Sequence, residues 1–134
     1  MATLKKISVS IVHFNTPDLL QKCVESMAKF FPSEKYKIEI IVVDNASSLK
    51  ANFYIDLCEK QKSKLEFDKK WSHFEFQYIA NSENVGFGKA QNQAIKIATG
   101  ELIIIMNPDS ELLTGLDTSL AYLIQNPKIA AVGP

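Results

Sequence analysis

The chain has 134 residues and a mass of 15.0 kDa, enough for one domain with its own core and too little for two of ordinary size. Hydrophobic residues make up 46% and charged residues 22%, which excludes disordered and fibrous classes. Fifteen basic side chains, every one a lysine, balance fifteen acidic ones, so no net field favours nucleic acid or anionic lipid and no arginine can clamp a phosphate with two prongs.

Ile7-Ser8-Val9-Ser10-Ile11-Val12 alternates and is rich in β-branched residues, which predicts a strand. Thr16-Pro17 follows, a capping residue ahead of a proline suited to a first helical turn. Leu19, Leu20, Cys23, Val24, Met27 and Phe30 or Phe31 then recur at helical spacing, and Pro32 closes that helix. The nearly continuous apolar run Ile38-Glu39-Ile40-Ile41-Val42-Val43 predicts a strand covered on both faces, and Asp44-Asn45-Ala46-Ser47-Ser48 is turn chemistry. Between Leu49 and Trp71, the positions Phe53, Leu57, Cys58, Gln61 and Leu65 predict a solvated amphipathic helix, with the mixed-sign charges from Lys60 to Lys70 in water. Phe74 to Ile79 alternates strictly and predicts a third strand. Lys89 to Ala98 is helical by composition and ends at Gly100, ahead of a fourth, buried strand over Leu102 to Met106. Leu116, Leu120, Leu123 and Ile124 mark a last helix closed by Asn126-Pro127, with a fifth strand expected from Ile129 to Val132.

Strands alternating with helices predict an α/β domain of three layers, a mostly parallel sheet with helices on both faces. Residues 1–134 read as a single domain without repeat or linker. The stop at Ala131-Val132-Gly133-Pro134, just after a short apolar segment, suggests a cut within a longer protein. Cys23 and Cys58 lack metal or redox spacing and lie on apolar helix faces, as inert thiols of a reducing compartment do. The longest aliphatic run, Leu102 to Met106, is far short of a membrane span, and Met1 to Ser10 has no secretory core. A cytoplasmic, soluble domain is expected.

In an open α/β sheet, ligands sit beyond the carboxyl ends of the strands. Those ends carry the unusual polar residues. The first strand ends in His13-Phe14-Asn15-Thr16, following Val12, and the second in Asp44-Asn45. The third runs into Asn84-Val85-Gly86-Phe87-Gly88, and the fourth into Asn107-Pro108-Asp109-Ser110. The opposite ends, Lys5-Lys6, Tyr36-Lys37 and Gly100-Glu101, are plainer. One crevice assembled by four loops is therefore expected.

Asn107 and Asp109, two apart in an extended segment held by a proline, can aim two oxygens at one point and suit a hard cation such as Mg²⁺ or Mn²⁺. Asn-Pro-Asp-Ser is also excellent material for a simple turn. Asp44 can accept hydrogen bonds from a base or ribose, or equally close an Asx turn. Phe14 offers a face for stacking or for the core. The glycine loop precedes a helix, so its amides can face a phosphate. Its dinucleotide fingerprint fails because Gln91 stands where the third glycine belongs, and no phosphate-loop motif occurs. Asn92 lies among Ala90, Ala94 and Ile95, where a buried amide would need a partner. His13 can line the crevice, whereas His73, beside Trp71 and Phe74, reads as half-exposed packing.

Together, Val9 to Thr16, Ile40 to Ser47, Asn84 to Gly88 with Asn92, and Asn107 to Ser110 closely resemble the N-terminal half of family-two glycosyltransferases, nearest to rhamnosyltransferase-like members. The resemblance covers nearly the whole chain in order. It sets residues 50–72 apart as a variable helical insertion. It implies a GT-A fold and a site for a nucleotide-diphospho-sugar, a UDP- or dTDP-sugar. By that likeness Phe14 stacks on the base, Asp44 bonds it, and Asn84, Gly86, Gly88 and Asn92 shape the floor beneath the diphosphate. Val12, His13, Asn15 and Asn45 complete the pocket. Asn107-Pro108-Asp109 replaces the family's D-x-D motif, with Asp109 as metal carboxylate and Asn107 beside it holding Mg²⁺ or Mn²⁺. The first acidic position is Asn here, which lowers the local negative charge.

The implied reaction is inverting transfer to an acceptor hydroxyl on a saccharide or lipid-linked molecule, in surface-polysaccharide assembly at the inner face of the membrane. The family's catalytic base lies in a later half, so no catalytic base is named among residues 1–134. A nucleotidylyltransferase would need a glycine- and arginine-rich loop where His13-Phe14-Asn15-Thr16 stands. A receiver domain would need an acidic pair there. The remaining competitor is a non-catalytic α/β nucleotide-binding or interaction module.

Overall fold

The computed structural model describes residues 5–31, 34–64 and 68–133. Its elements follow in the order β1 (Lys5–His13), α1 (Pro17–Phe30), β2 (Tyr36–Asp44), α2 (Asn52–Lys62), a short 3₁₀ turn (Lys69–Trp71), β3 (Phe74–Ala80), α3 (Phe87–Ile97), β4 (Leu102–Met106) and α4 (Asp117–Gln125). The four strands form one parallel sheet in the order β3-β2-β1-β4.

Connection handedness explains the layers. The chain steps from β1 to β2 to β3 in one direction, then crosses back past β1 to β4. Right-handed crossovers therefore put α1 and α2 on one face and α3 on the other. Side-chain alternation agrees. Ile7, Val9, Ile11, Ile38, Ile40 and Val42 pack with α1, α2 and Leu120 of α4. Val12, Ile41 and Val43 pack beneath Ala90 and Ala94 of α3. Each aliphatic side chain so buried contributes about 2 kcal/mol of transfer free energy.

Four expectations need correction, the first being the burial of β4, where Ile103 and Ile105 are exposed. Residues 129–133 form no strand; the Ile129 amide instead bonds the Asn126 carbonyl at 2.9 Å, closing a turn around Pro127. An apolar run without a neighbouring ladder has nowhere to place its backbone bonds. The segment 49–71 is more than a solvated helix, because Tyr54, Leu57, Cys58 and Trp71 enter the core. Tyr54 is the largest fully buried side chain among the described residues, and its hydroxyl donates to the Ile40 carbonyl at 2.5 Å, with the Gln77 carbonyl at 3.1 Å. Leu65 and Pro32, given roles from sequence, lie outside the described residues. Thr16 does stand at the N-cap of α1 with Pro17 behind it, but its hydroxyl makes no cap bond.

Two polar devices hold the frame. On the α3 face, the carboxylate of Glu39 is 1% exposed. It accepts hydrogen bonds from Ser8 Oγ (2.5 Å), Gln77 Nε2 (2.8 Å), Thr99 N (2.9 Å) and Thr99 Oγ1 (3.0 Å), with Lys6 Nζ at 3.6 Å. It ties the α3–β4 connection to the amino end of the sheet. At the β3 edge, the side-chain amide of Gln61 accepts from Phe76 N (2.8 Å) and donates to Phe76 O (3.2 Å). That side chain takes the place of a neighbouring strand.

Candidate functional site at the carboxyl ends of the strands

Parallel pairing puts all four polar loops at one edge of the sheet. His13 stands opposite Asp44 in the β1–β2 ladder, and Ile11 opposite Met106 in the β1–β4 ladder. Asp44 and Asn107-Pro108-Asp109 therefore leave strands separated by β1 alone, about 10 Å apart at ordinary strand spacing. The loops after β1, β2 and β3 are knitted into one network, while the turn after β4 stands beside it.

Ser47 is the centre of the β1–β2 knot. Its Oγ accepts from Asn15 N at 2.8 Å and lies 3.3 Å from His13 Nε2. The Thr16 amide, which can only donate, lies 3.2 Å from His13 Nδ1. Nδ1 is then an acceptor, the ring proton sits on Nε2, and it donates to Ser47. Thr16 Oγ1 also reaches Nδ1, at 3.0 Å, which is why that hydroxyl does not cap α1. Burial lowers the affinity of His13 for a proton, against the pull of Asp44. The ring is wholly buried. His13 thus fixes the loop and does not line the crevice. Val12 likewise lies in the core under α3.

Backbone strain collects here. Asn15 and Ala46 hold φ of 52° and 70°, in the left-handed region that non-glycine residues avoid. The side-chain oxygen of Asn15 accepts from Leu49 N (2.9 Å) and Ser48 Oγ (3.1 Å), which holds the β2 loop against β1. Phe14, between these anchors, is 49% exposed. Its ring is available to a ligand and was not taken up by the core.

Asp44 closes the turn that its position allowed. Its Oδ1 accepts from Ser47 N at 2.7 Å, and its Oδ2 accepts from the Tyr78 hydroxyl at 2.6 Å with Lys50 Nζ at 3.5 Å. Burial pushes the carboxyl up, but the bonds from Ser47 and Tyr78 and the charge of Lys50 hold it below its ordinary range. The side chain is 1% exposed, whereas Lys50 is 53% exposed.

Asn45 performs the second join. Buried, it donates to Asn84 Oδ1 (2.8 Å) and accepts from Val85 N (3.0 Å) and Asn81 Nδ2 (3.2 Å). Asn84 Oδ1 also accepts from Gly86 N at 2.9 Å. Gly86 opens α3 with φ of +84°, a conformation that suits glycine and strains other residues. Gly88 faces open space. Asn92 does not occupy the apolar face of α3. It is exposed, and the buried amide is its neighbour Gln91, whose Oε1 accepts from Ser10 Oγ.

Asn107 and Asp109 are both exposed, in a turn that Ser110 N closes onto Asn107 O at 3.1 Å. The segment bends after Pro108, so the two side chains do not sit along one extended strand as their spacing implied. The buried thiol of Cys23 donates to the same Asn107 carbonyl at 3.6 Å and pins the turn to α1. Burial pushes that thiol up to about 12. Oxygen donors of this type suit a hard cation, and Asp109 with Asn107 could hold one. Among the described residues no three acidic, histidine or cysteine side chains converge. A cation here would take most of its shell from water or a ligand. A groove of about 370 Å³ between α1 and Glu111–Leu113 contains none of these strand-end residues.

The sequence model of glycosyl transferase family 2 matches residues 8–134. The chain belongs to that family. Among curated relatives, a poly(ribitol-phosphate) beta-glucosyltransferase of Bacillus spizizenii is 34% identical over 105 residues, covering 78% of this chain and 15% of that protein. An N-acetylglucosaminyltransferase of Bradyrhizobium elkanii is 30% identical over 131 residues, covering 96% of this chain and 64% of that protein. S. aureus TarS residues 1–349, solved in complex with UDP, superposes with a TM-score of 0.67 at 24% identity, over 91% of this chain and 33% of that one. The mannosyltransferase PcManGT from Pyrobaculum calidifontis, solved with GDP-Man and Mn2+, gives a TM-score of 0.67 at 20% identity, over 98% of this chain and 35% of that one. These structures establish the fold, which is the GT-A arrangement of the family. This chain spans only part of each of these proteins.

Three partners of Asp44 were not among the site residues expected from sequence. Ser47 lies in the turn run Asp44–Ser48, but its amide is three residues on, one beyond the usual donor of an Asx turn. Lys50 had no signal beyond its proximity in sequence. Tyr78 reaches Asp44 only through the β2–β3 register, where it pairs with Val42.

Proposed function

We propose that this chain is the donor-binding part of an inverting glycosyltransferase that takes a UDP- or dTDP-sugar and delivers the sugar to a hydroxyl of a saccharide or lipid-linked acceptor. The observation that carries the reading is the gathering of four polar loops at one sheet edge, with Asp44 and the Asn107–Asp109 turn on either side of β1. Phe14 and Asp44 would take the base, and the amides opening α3 near Gly86 and Gly88, with Asn84 and Asn92, the diphosphate. Asp109, assisted by Asn107, would hold Mg²⁺ or Mn²⁺, whose chemistry is to neutralise a departing diphosphate. The relatives' names and the ligands of the solved neighbours support this assignment. No residue of this chain is assigned as catalytic base. Surface-polysaccharide assembly, in the cytoplasm at the inner membrane face, completes the proposal. Among the described residues no helix is long and apolar enough to cross a membrane.

Calorimetric titration with UDP, dTDP and GDP, each with and without Mn²⁺, tests it. UDP or dTDP should bind more tightly with Mn²⁺, and Asp109→Ala should remove that difference. Binding by none of the three nucleotides would leave a non-catalytic module as the reading.

A further inference from the structure

The carboxylate of Asp44 is almost wholly buried, yet it is the group assigned to the donor base, and something must hold it ready. Two of its three partners belong to the frame. Ser47 N fixes Oδ1 at 2.7 Å, and the hydroxyl of Tyr78 fixes Oδ2 at 2.6 Å. With one donor on each oxygen, the plane of the carboxylate cannot turn about its own axis. The third partner, Lys50, is an exposed ammonium on a flexible stem, 3.5 Å from Oδ2, and can move aside. A carboxylate offers about four lone-pair directions, so the fixed bonds leave it able to accept from a ligand.

We propose that Tyr78 is a positioning residue of the donor site, acting through Asp44: its hydroxyl orients the carboxylate for the N–H of a nucleobase before any ligand arrives. The inference rests on the donor-site reading above. Tyr78 is held for this task from two sides. Its ring packs against Tyr54, with centroids 6.2 Å apart, and Tyr54 is itself anchored between the Ile40 and Gln77 carbonyls. The Tyr78 hydroxyl therefore approaches Asp44 from a rigid aromatic layer and not from a mobile loop. Loss of that bond frees the carboxylate to rotate towards Lys50, so the cost appears in binding.

The test is a double-mutant cycle read by calorimetric UDP affinity in the presence of Mn²⁺. Tyr78→Phe keeps the ring and removes the hydroxyl. It should weaken UDP binding about tenfold, the scale of one charge-assisted bond. Asp44→Ala should weaken binding at least as much, and Tyr78→Phe should then add less than twofold in the Asp44→Ala background. Thermal melts accompany each variant, since a purely structural tyrosine would lower stability and leave affinity unchanged. That result, or equal losses with and without Asp44, overturns the role of Tyr78 while the donor site stands. An Asp44→Ala variant that binds UDP like the parent overturns both.

Discussion

Replacing Glu39 by alanine examines the frame without touching the site. The substitution removes a buried carboxylate that accepts from Ser8, Gln77 and Thr99, the last through both its amide and its hydroxyl. Hydrogen bonds to a charged acceptor contribute about 1.5–3 kcal/mol each, and buried donors left without acceptors add to the loss. Ser8 Oγ keeps the bond it accepts from Gly100 N at 2.8 Å, but its own proton loses its acceptor. Water entering the vacated space recovers a share. Taken one by one, the four bonds would exceed that scale, but they are not additive, and the range for breaking a buried charged network sets the expected loss at about 4 kcal/mol. With a urea slope of about 2 kcal/mol per molar, the midpoint falls by about 2 M at unchanged slope. Urea unfolding followed by circular dichroism measures it. Glu39 lies at the amino end of the sheet, so nucleotide affinity below the transition should match the parent. A loss under 1 kcal/mol, or an affinity that falls with stability, refutes the reasoning.

Two further outcomes concern stability. Acid should destabilise the fold in two stages. His13 and His73 are held neutral by burial, below their ordinary value of 6.5, so the unfolded chain takes protons first and stability falls as pH drops from about 6.5. Asp44 and Glu39, held below their ordinary values of 3.8 and 4.5, add a second loss as pH falls through and below those values. Urea midpoints should hold level from pH 8 to about 7, fall as pH drops through 6.5 and fall again below about 4.5, and a rise between pH 6.5 and 5 would contradict this. Ala46→Gly should raise stability by about 0.5–1 kcal/mol, because relief of a left-handed alanine exceeds the added chain entropy. A calorimetric midpoint about 3 °C higher is expected, and a lower one would remove Ala46 as a strained position.

Much of the architecture was legible because aliphatic runs such as Ile38–Val43 have no other stable home than a covered sheet. The polarity of the strand ends was legible too, since Asp44 and Asn107-Pro108-Asp109 directly follow apolar runs. What escaped was phase and register. Gln91 and Asn92 are adjacent amides, and one helical step of about 100° decides which is buried. Composition cannot choose between them. His13 read as lining the crevice, because no pattern shows that Ser47, 34 residues later, folds back to seal it. Tyr54 and Tyr78 lie on separate elements and meet only when α2 packs over β3. The Ile129–Val132 expectation failed for a related reason: β-branched residues favour a strand only where a neighbour supplies the ladder.

The two borders of the sheet differ in kind. Gln61 occupies the outer amide and carbonyl of Phe76, so β3 is interrupted as a template at that residue. Among the described residues β4 pairs with β1 alone, and Ile105 on it is 58% exposed. Lateral growth of the sheet is therefore hindered at Phe76 on one flank and meets no such side chain among the described residues of β4 on the other. A strand added at the β4 border would lie beside the turn that carries Asp109.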